Sequence, residues 1–345
     1  MKLLNRVALD PAQRKSSLSK QLGVTRSAVN QIWTRLEERN NLSVRSMIDY
    51  GKIGLIPVMG LVSTHDEPQK LKELSGWFQN NPFVVSLNVS TVAASVESVL
   101  LFEAIFPVGP QLSKFKSYIE TSKESESTSA FISPITHQDY TLNIGNFSGS
   151  QWDLADPFRL EAVISATKKF ADVLPEDLPM AISPPVSGDV ESAIIVGALE
   201  NSYFATTNEV LTLFRKLKFP HPSGRTIRRR MKTLRKSIVQ PYVDIDGLGL
   251  TQKVALVVKA SPTSDIVKTL IAQSTSFPKT WVACGTSLTL IYLDLPPSVD
   301  WFAISTTLSI LDSSGSIISP FIISDGLIRK GLEGVLPSLI HKNHT

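Results

Sequence analysis

The sequence predicts an α+β chain in which a helix-turn-helix unit, followed by a βαββαβ run, occurs twice. Three observations predict it. Two helical patterns each lead through a similar turn into an apolar strand, the same six elements follow each, and a proline-rich break separates the halves. With 345 residues, 42% hydrophobic and 19% charged, the chain can bury two or more cores. That composition excludes a collagen-like chain, a long coiled coil and a wholly disordered protein. The single cysteine, Cys284, excludes an intramolecular disulfide framework and any multi-cysteine metal site. Residues Met1 to Arg14 lack the apolar core of a secretory signal. The most apolar stretch, Ile53 to Val62, is about half of a bilayer-spanning length. A soluble, cytoplasmic protein with no membrane partner is therefore expected.

The elements justify the duplication one by one. In the first half Thr25 to Asn40 has helical spacing, and Met47-Ile48-Asp49-Tyr50-Gly51-Lys52-Ile53-Gly54-Leu55 follows. In the second half Ser223 to Lys236 precedes Tyr242-Val243-Asp244-Ile245-Asp246-Gly247-Leu248-Gly249-Leu250. Aligning Thr25 with Ser223 puts Val29 on Ile227, Trp33 on Met231 and Leu36 on Leu234, one inward stripe in each copy. Downstream the first half offers Ile56–Thr64, Pro68–Gln79, Phe83–Ser90, Glu97–Phe106, Gln111–Thr121 and Ala130–Thr136 as strand, helix, strand, strand, helix, strand. The second offers Lys253–Ala260, Ser264–Gln273, Thr280–Cys284, Leu288–Leu295, Val299–Leu311 and Ser316–Ile323, with a closing helix over Leu327 to Ile340. That order is the ferredoxin-like split βαβ. Its open sheet face needs a second sheet, in this chain or another.

Between the halves, Pro175, Pro179, Pro184 and Pro185 make Leu174 to Gly188 a linker. A helix capped by Asp156 runs into it, with Pro157 at its first position, and Lys123 to Ser129 reads as an exposed loop. The resulting units are 1–52 and 189–250 (helix-turn-helix), 53–150 and 251–345 (ferredoxin-like), and 151–188 (helix and linker).

Charge location narrows the function classes. The chain carries a net +4, yet Arg215 to Lys236 holds ten basic residues and no acid, leaving −6 for the rest. A solvated helix face is the plain explanation. A polyanion partner is the one favoured here, because ten like charges in 22 residues repel one another. In the first copy Gly23 marks the turn, Thr25 caps the second helix, and Val29, Ile32, Trp33 and Leu36 are expected inside. Thr25, Arg26, Ser27, Asn30, Gln31, Thr34 and Arg35 then remain for base edges and phosphates. In the second copy Thr206-Thr207-Asn208-Glu209 has capping-box spacing. Arg225, Thr226, Arg228, Arg229, Lys232, Arg235 and Lys236 are expected outside, and Arg230, which falls where Ile32 sits, must snorkel. These residues make double-stranded DNA the expected partner, with no catalytic residue, metal site or cofactor. No histidine–cysteine metal spacing, phosphate loop or nucleophile elbow occurs.

Leu18-Ser19-Lys20-Gln21-Leu22-Gly23-Val24-Thr25-Arg26-Ser27-Ala28-Val29, Arg35-Leu36-Glu37-Glu38-Arg39-Asn40, Ile48-Asp49 and Ile53-Gly54-Leu55 resemble the Lrp/AsnC transcription regulators. The resemblance implies winged helix-turn-helix units joined to ferredoxin-like ligand-sensing (RAM) domains. It also implies a small-molecule effector of unstated identity and assembly as homodimers or larger oligomers. The family's Gly-x-x-Asp effector turn is replaced by Val92 to Ser98 in the first half and reduced to Cys284-Gly285 in the second. The main reading is a sequence-specific transcription regulator that is not an enzyme, its two unlike recognition helices selecting an asymmetric site. Two alternatives stay open: a chromatin or general transcription-associated DNA binder without sequence preference, and a siroheme decarboxylase-like enzyme of Lrp/AsnC architecture. Enzymes of that last kind rely on histidines and arginines in the ferredoxin-like part, where this chain offers His137 in the company of Asp139 and Tyr140.

Overall fold

The computed structural model describes residues 2–65, 68–91, 97–122, 128–154, 180–274, 277–299 and 317–341. The chain is a mixed α+β fold. It opens with α1 (Lys2–Leu9), α2 (Lys15–Leu22) and α3 (Arg26–Asn40), then β1 (Ser43–Ile48) and a 3-10 turn at Tyr50–Ile53. Gly23 closes α2 with φ 64°, a left-handed conformation natural to glycine, and Thr25 caps α3 by accepting from the Ala28 amide at 3.1 Å. β2 (Leu55–His65), α4 (Pro68–Asn80), β3 (Val84–Thr91), β4 (Glu97–Pro107), α5 (Pro110–Ser122) and β5 (Thr128–Leu142) follow.

The second half repeats the plan with α6 (Val190–Asn201), α7 (Thr207–Lys216), α8 (Gly224–Ser237), β6 (Val239–Asp244), β7 (Gln252–Val258), α9 (Asp265–Ser274), β8 (Lys279–Gly285), β9 (Thr289–Leu295) and β10 (Ile317–Arg329). A 3-10 turn at Leu332–Gly334 and α10 (Leu336–His341) end the described chain. Asp189 caps α6, and the reciprocal Thr206–Glu209 capping box closes the start of α7. α6 is apolar on nearly every side, with Ala193 to Gly197 and Leu199 all buried. It packs against β1, α7, α8 and α10 as the hub of the helical layer.

The eight long strands close into one antiparallel barrel in the order β10-β3-β4-β2-β5-β8-β9-β7. Counted within each half, both four-stranded sets run 2-3-1-4. The halves join where the last strand of one meets the second strand of the other, β5 on β8 and β10 on β3. The open sheet faces expected from sequence are thus covered by one another within the chain, and no sheet edge is left in the barrel. β1 and β6 form a separate antiparallel ribbon, Ser43 opposite Asp244 through Ile48 opposite Val239. Outside the barrel, α4 and α5 cover β2–β4 through Phe78, Phe102, Phe106 and Phe115, and α9 covers β7–β9 through Val267, Leu270 and Ile271.

Several sequence expectations are corrected. The closing helix over Leu327 to Ile340 is not one helix: β10 runs on to Arg329, with Ile328 opposite Leu87, and Gly331, Gly334 and Pro337 confine helix to two short pieces. β5 extends six residues past Thr136 because Gln138 to Leu142 pair with β8, a long-range contact that local alternation does not encode. Ile32 is 41% exposed rather than buried, which explains why its counterpart Arg230 sits at a wet edge, bonded to Glu191 at 2.7 Å and Asp189 at 3.4 Å. The expected helices after Asp156 and over Val299–Leu311 lie outside the described residues (except Val299), as do Val92 to Val96 and most of the Lys123–Ser129 loop. The linker residues Met180 to Gly188 are fastened to the body by backbone hydrogen bonds at Met180, Ile182 and Val186, although Pro184 to Gly188 are exposed. Ser183 donates its amide and hydroxyl to Asp49 at 2.8 and 2.6 Å, and a Cβ on Gly51 would lie 1.7 Å from the Ser183 carbonyl oxygen.

Candidate functional site

Register decides which side chains point into the barrel, because residues directly opposite on neighbouring strands share a face. Across β3-β4-β2 one inward row is Ser86, Glu103 and Met59; across β8-β9-β7 another is Trp281, Tyr292 and Ala255. Toward one end the lumen is a packed, largely apolar plug: Met59, Val99, Leu101, Ala255, Val257, Ala283 and Leu290 are fully buried and packed as one cluster, with Asn88, Ser90 and Ser63 as the polar residues of the same rows. Toward the other end, facing the β1–β6 ribbon, the inward residues are of another kind. Ser86, Glu103, Tyr140, Trp281, Tyr292 and Asp294 are only partly buried although they belong to inner faces. Side chains on an inner wall that keep accessible surface line a hollow, which lies at the mouth of the barrel.

The hollow is aromatic and charged. The Tyr140 ring lies 4.3 Å from that of Tyr242 on β6 and 6.3 Å from that of Trp281. The Tyr140 hydroxyl is buried without a hydrogen-bond partner and that of Tyr292 has only Asn88 beside it, and such atoms ordinarily find a partner in a protein, water or a ligand. Burial raises the pKa values of Tyr50, Tyr140, Tyr242 and Tyr292 above the usual phenol range. All four stay protonated and can donate.

Glu103 stands alone among apolar neighbours on β4. Burial pushes its carboxyl up to about 7, against the opposing pull of the Trp281 indole and the Arg329 guanidinium, so near neutrality it both holds and releases a proton. At the rim Asp244 binds Lys279 Nζ at 2.8 Å, Arg329 at 3.1 Å and Arg45 at 3.5 Å. Burial pushes Asp244 upward, but the charges of Lys279, Arg329 and Arg45 outweigh it and hold the carboxylate below its ordinary range. The Arg329 side chain is 64% exposed, leaving most of its donors free for an incoming anion. Beside the ribbon Tyr50 donates to Glu200, which also accepts from the Leu332 amide.

The residues proposed from sequence for DNA lie elsewhere, on α3 and α8. Thr25, Arg26, Ser27, Asn30, Gln31 and Arg35 are exposed, as are Arg225, Arg228, Arg229 and Lys232. Thr226 is half-buried, its hydroxyl 3.0 Å from that of Ser223. Arg235 is corrected: it turns inward and donates to the carbonyls of Tyr203 at 3.0 Å and Ala205 at 2.6 Å, with burial lowering its pKa. Arg228, Lys232, Arg235 and Lys236 edge a groove of about 490 Å³ against Thr206 and Thr207. His137 faces the outer side of β5, opposite Cys284, and its ring bonds Thr136 Oγ1 at 3.0 Å. Burial lowers the His137 pKa. Cys284 is buried, its thiol pushed up to about 11. Among the described residues no group of three acids, histidines or cysteines could hold a metal, and no helix is long and apolar enough to cross a membrane.

Sequence reasoning missed Glu103, Tyr242, Trp281, Tyr292 and Arg329. Their signal was a polar residue in the midst of an apolar strand, Glu103 in Val99-Leu100-Leu101-Phe102-Glu103-Ala104-Ile105-Phe106 and Asp294 in Ile291-Tyr292-Leu293-Asp294-Leu295.

No family model matches this chain, and no curated protein matches it. Among solved structures it is similar to a crystal structure of the siroheme decarboxylase NirDL, at 12% identity over 100% of this chain and 99% of that one, with a TM-score of 0.52. It is also similar to that protein's structure in complex with an iron-uroporphyrin III analogue, at 11% identity over 99% and 97% of the two chains, with a TM-score of 0.54. At such identity the likeness is one of fold. It runs against the expectation that the protein is not an enzyme, since both of these structures, which match it end to end, are of a decarboxylase.

Proposed function

We propose that the protein is a decarboxylase that takes a carboxylate-bearing tetrapyrrole, of the class named for its structural neighbours, into the hollow at the barrel mouth. The observation that carries this reading is the hollow itself, where one end of the barrel is closed by a largely apolar packed cluster and the other is lined by proton-bearing and aromatic groups. A planar macrocycle finds aromatic faces in Trp281, Tyr140 and Tyr242. Its side-chain carboxylates find a cation in Arg329 and phenolic donors in Tyr140 and Tyr292. Asp244 and Asp294 do not forbid an anion, since Lys279 lies within 3.4 Å of both. The test is incubation of the protein with iron uroporphyrin III, followed by mass spectrometry. Products lighter by whole units of carbon dioxide support the reading, and unchanged substrate after stoichiometric incubation refutes it. The same reading assigns helix-turn-helix units to 1–52 and 189–250 and ferredoxin-like units to 53–150 and 251–345, with 151–188 between them.

A second reading rests on a separate observation. Arg225, Arg228, Arg229, Lys232 and Lys236 are exposed on α8 and make no ion pair among the described residues, a surface suited to the phosphates of duplex DNA. Five phosphate contacts give a slope of roughly −4 to −5 for log K against log salt. Arg228→Ala/Arg229→Ala should flatten it by about 2; an unchanged slope excludes α8 from any such interface.

A further inference from the structure

We propose that Glu103 is the acid that delivers a proton to the substrate carbon that loses carbon dioxide, an inference that rests on the decarboxylase reading. Three observations place it there. Its row, Ser86-Glu103-Met59, lies where the lining passes into the packed cluster, since the next inward residue on β4 is the fully buried Leu101, with Asn88 opposite it. Its carboxyl faces no carboxylate of its own row. The titratable and charged groups near it are Arg329 on β10, Tyr292 on β9 and Tyr50 in the 3-10 turn, with the Trp281 indole beside it. Finally, its side-chain partner is the Trp281 indole, itself a wall of the hollow, whereas the other buried acids are anchored to the framework: Glu200 by Tyr50 and the Leu332 amide, Asp49 by Ser183, and Asp244 by three cations. A buried carboxyl without such an anchor is costly to keep and needs another reason to be there.

The step balances without oxidant or reductant. The bond between the side-chain carbon and its carboxylate breaks, carbon dioxide leaves, and the electron pair stays on the carbon. The proton of the Glu103 carboxylic acid moves to that carbon, forming the new C–H bond and leaving a Glu103 carboxylate. Solvent entering past the exposed Arg329 returns the proton. Because the acid form does the work and its pKa is about 7, turnover should fall as pH rises through that value. The phenols of Tyr50 and Tyr292 titrate higher and leave that limb to Glu103.

The experiment compares wild-type protein, Glu103→Gln and Glu103→Asp with iron uroporphyrin III as the probe. Binding is read by absorbance and single-turnover decarboxylation by mass, from pH 5.5 to 8.5 (roughly the span over which a group near 7 titrates). The expected result is Glu103→Gln binding within about three-fold of wild type but turning over at least about 100-fold more slowly, with the limb near pH 7 gone, as befits loss of a general acid. Glu103→Asp should restore part of the rate and move the limb, a readout that loss of packing alone would not give. Wild-type rate and an unmoved limb in Glu103→Gln would overturn the role of Glu103 while leaving the decarboxylase reading standing. A wild-type protein that binds the probe but releases no carbon dioxide, or does neither, would overturn both.

Discussion

Replacing Asp244 by asparagine removes the anion from the densest ion cluster among the described residues while keeping the side chain's shape. Asp244 joins the ribbon to the barrel, binding Lys279 on β8, Arg329 on β10 and Arg45 on β1. The Arg329 side chain is 64% exposed, so water screens most of what it would lose, and Arg45, 28% exposed, keeps the Asn201 side-chain carbonyl oxygen at 3.5 Å. Lys279 is the costly partner, with its side chain only 9% exposed. Stripping one partner from a buried pair costs about 3–5 kcal/mol when nothing takes its place. Here Lys279 keeps Asp294 at 3.4 Å and the Ile245 carbonyl at 3.4 Å, which brings the expected loss to about 2 kcal/mol. The assay is urea denaturation of wild type and Asp244→Asn across pH. The folded-state pKa of Asp244 is depressed, so its contribution is fully present above the unfolded aspartate value and is lost as pH falls through the folded one. The gap between the two proteins should therefore be widest near neutrality and close in acid. A gap below about 0.5 kcal/mol at pH 7, of the size of an exposed pair, or one that persists in acid, would refute the reasoning.

Three further outcomes follow from the packing. Gly51→Ala should destabilise by about 3 kcal/mol or more, since its Cβ meets backbone at Ser183 and the 180–188 segment must shift; limited proteolysis of that segment checks it. Thr206→Ala should cost about 1 kcal/mol by breaking the capping box at α7, measured as a fall in thermal midpoint. Cys284, buried with its thiol pushed up to about 11, should resist iodoacetamide at pH 8 (roughly the value at which an ordinary thiol reacts freely) until the chain is unfolded; rapid labelling of the native protein would contradict its place under α9.

Local chemistry was legible and closure was not. The caps at Thr25 and Thr206 were readable because a cap needs only a hydroxyl or carboxylate and an amide three residues on. The strands from Leu55 to Pro107 and from Gln252 to Leu295 were readable because their apolar runs are long. The barrel mouth was hidden because it is made by pairing β5 with β8 and β10 with β3, contacts between residues far apart in sequence. Tyr140 and Leu142 seemed to lie beyond a strand until β8 was placed opposite them, and Leu327 and Ile328 have spacing that suits a helix as well as a strand. Glu103 had no local role to betray it, and its meaning came only from facing Tyr292 and Arg329 in the closed lumen. The basic segment at Arg215 to Lys236 drew the eye by charge density, yet Arg230, Arg235 and Lys216 are bonded within the protein, the last to Glu333 at 2.7 Å.

The most direct measurement is an absorbance titration of iron uroporphyrin III into wild-type protein, an Arg329→Glu variant, and a variant with Arg225, Arg228, Arg229, Lys232 and Lys236 all changed to alanine. A macrocycle seated in the barrel mouth predicts saturation at one ligand per chain, at least about ten-fold weaker binding in Arg329→Glu, equivalent to ~1.4 kcal/mol, and unchanged binding in the α8 variant. Binding lost in the α8 variant and kept in Arg329→Glu would place the acidic ligand on the helix surface and contradict the account.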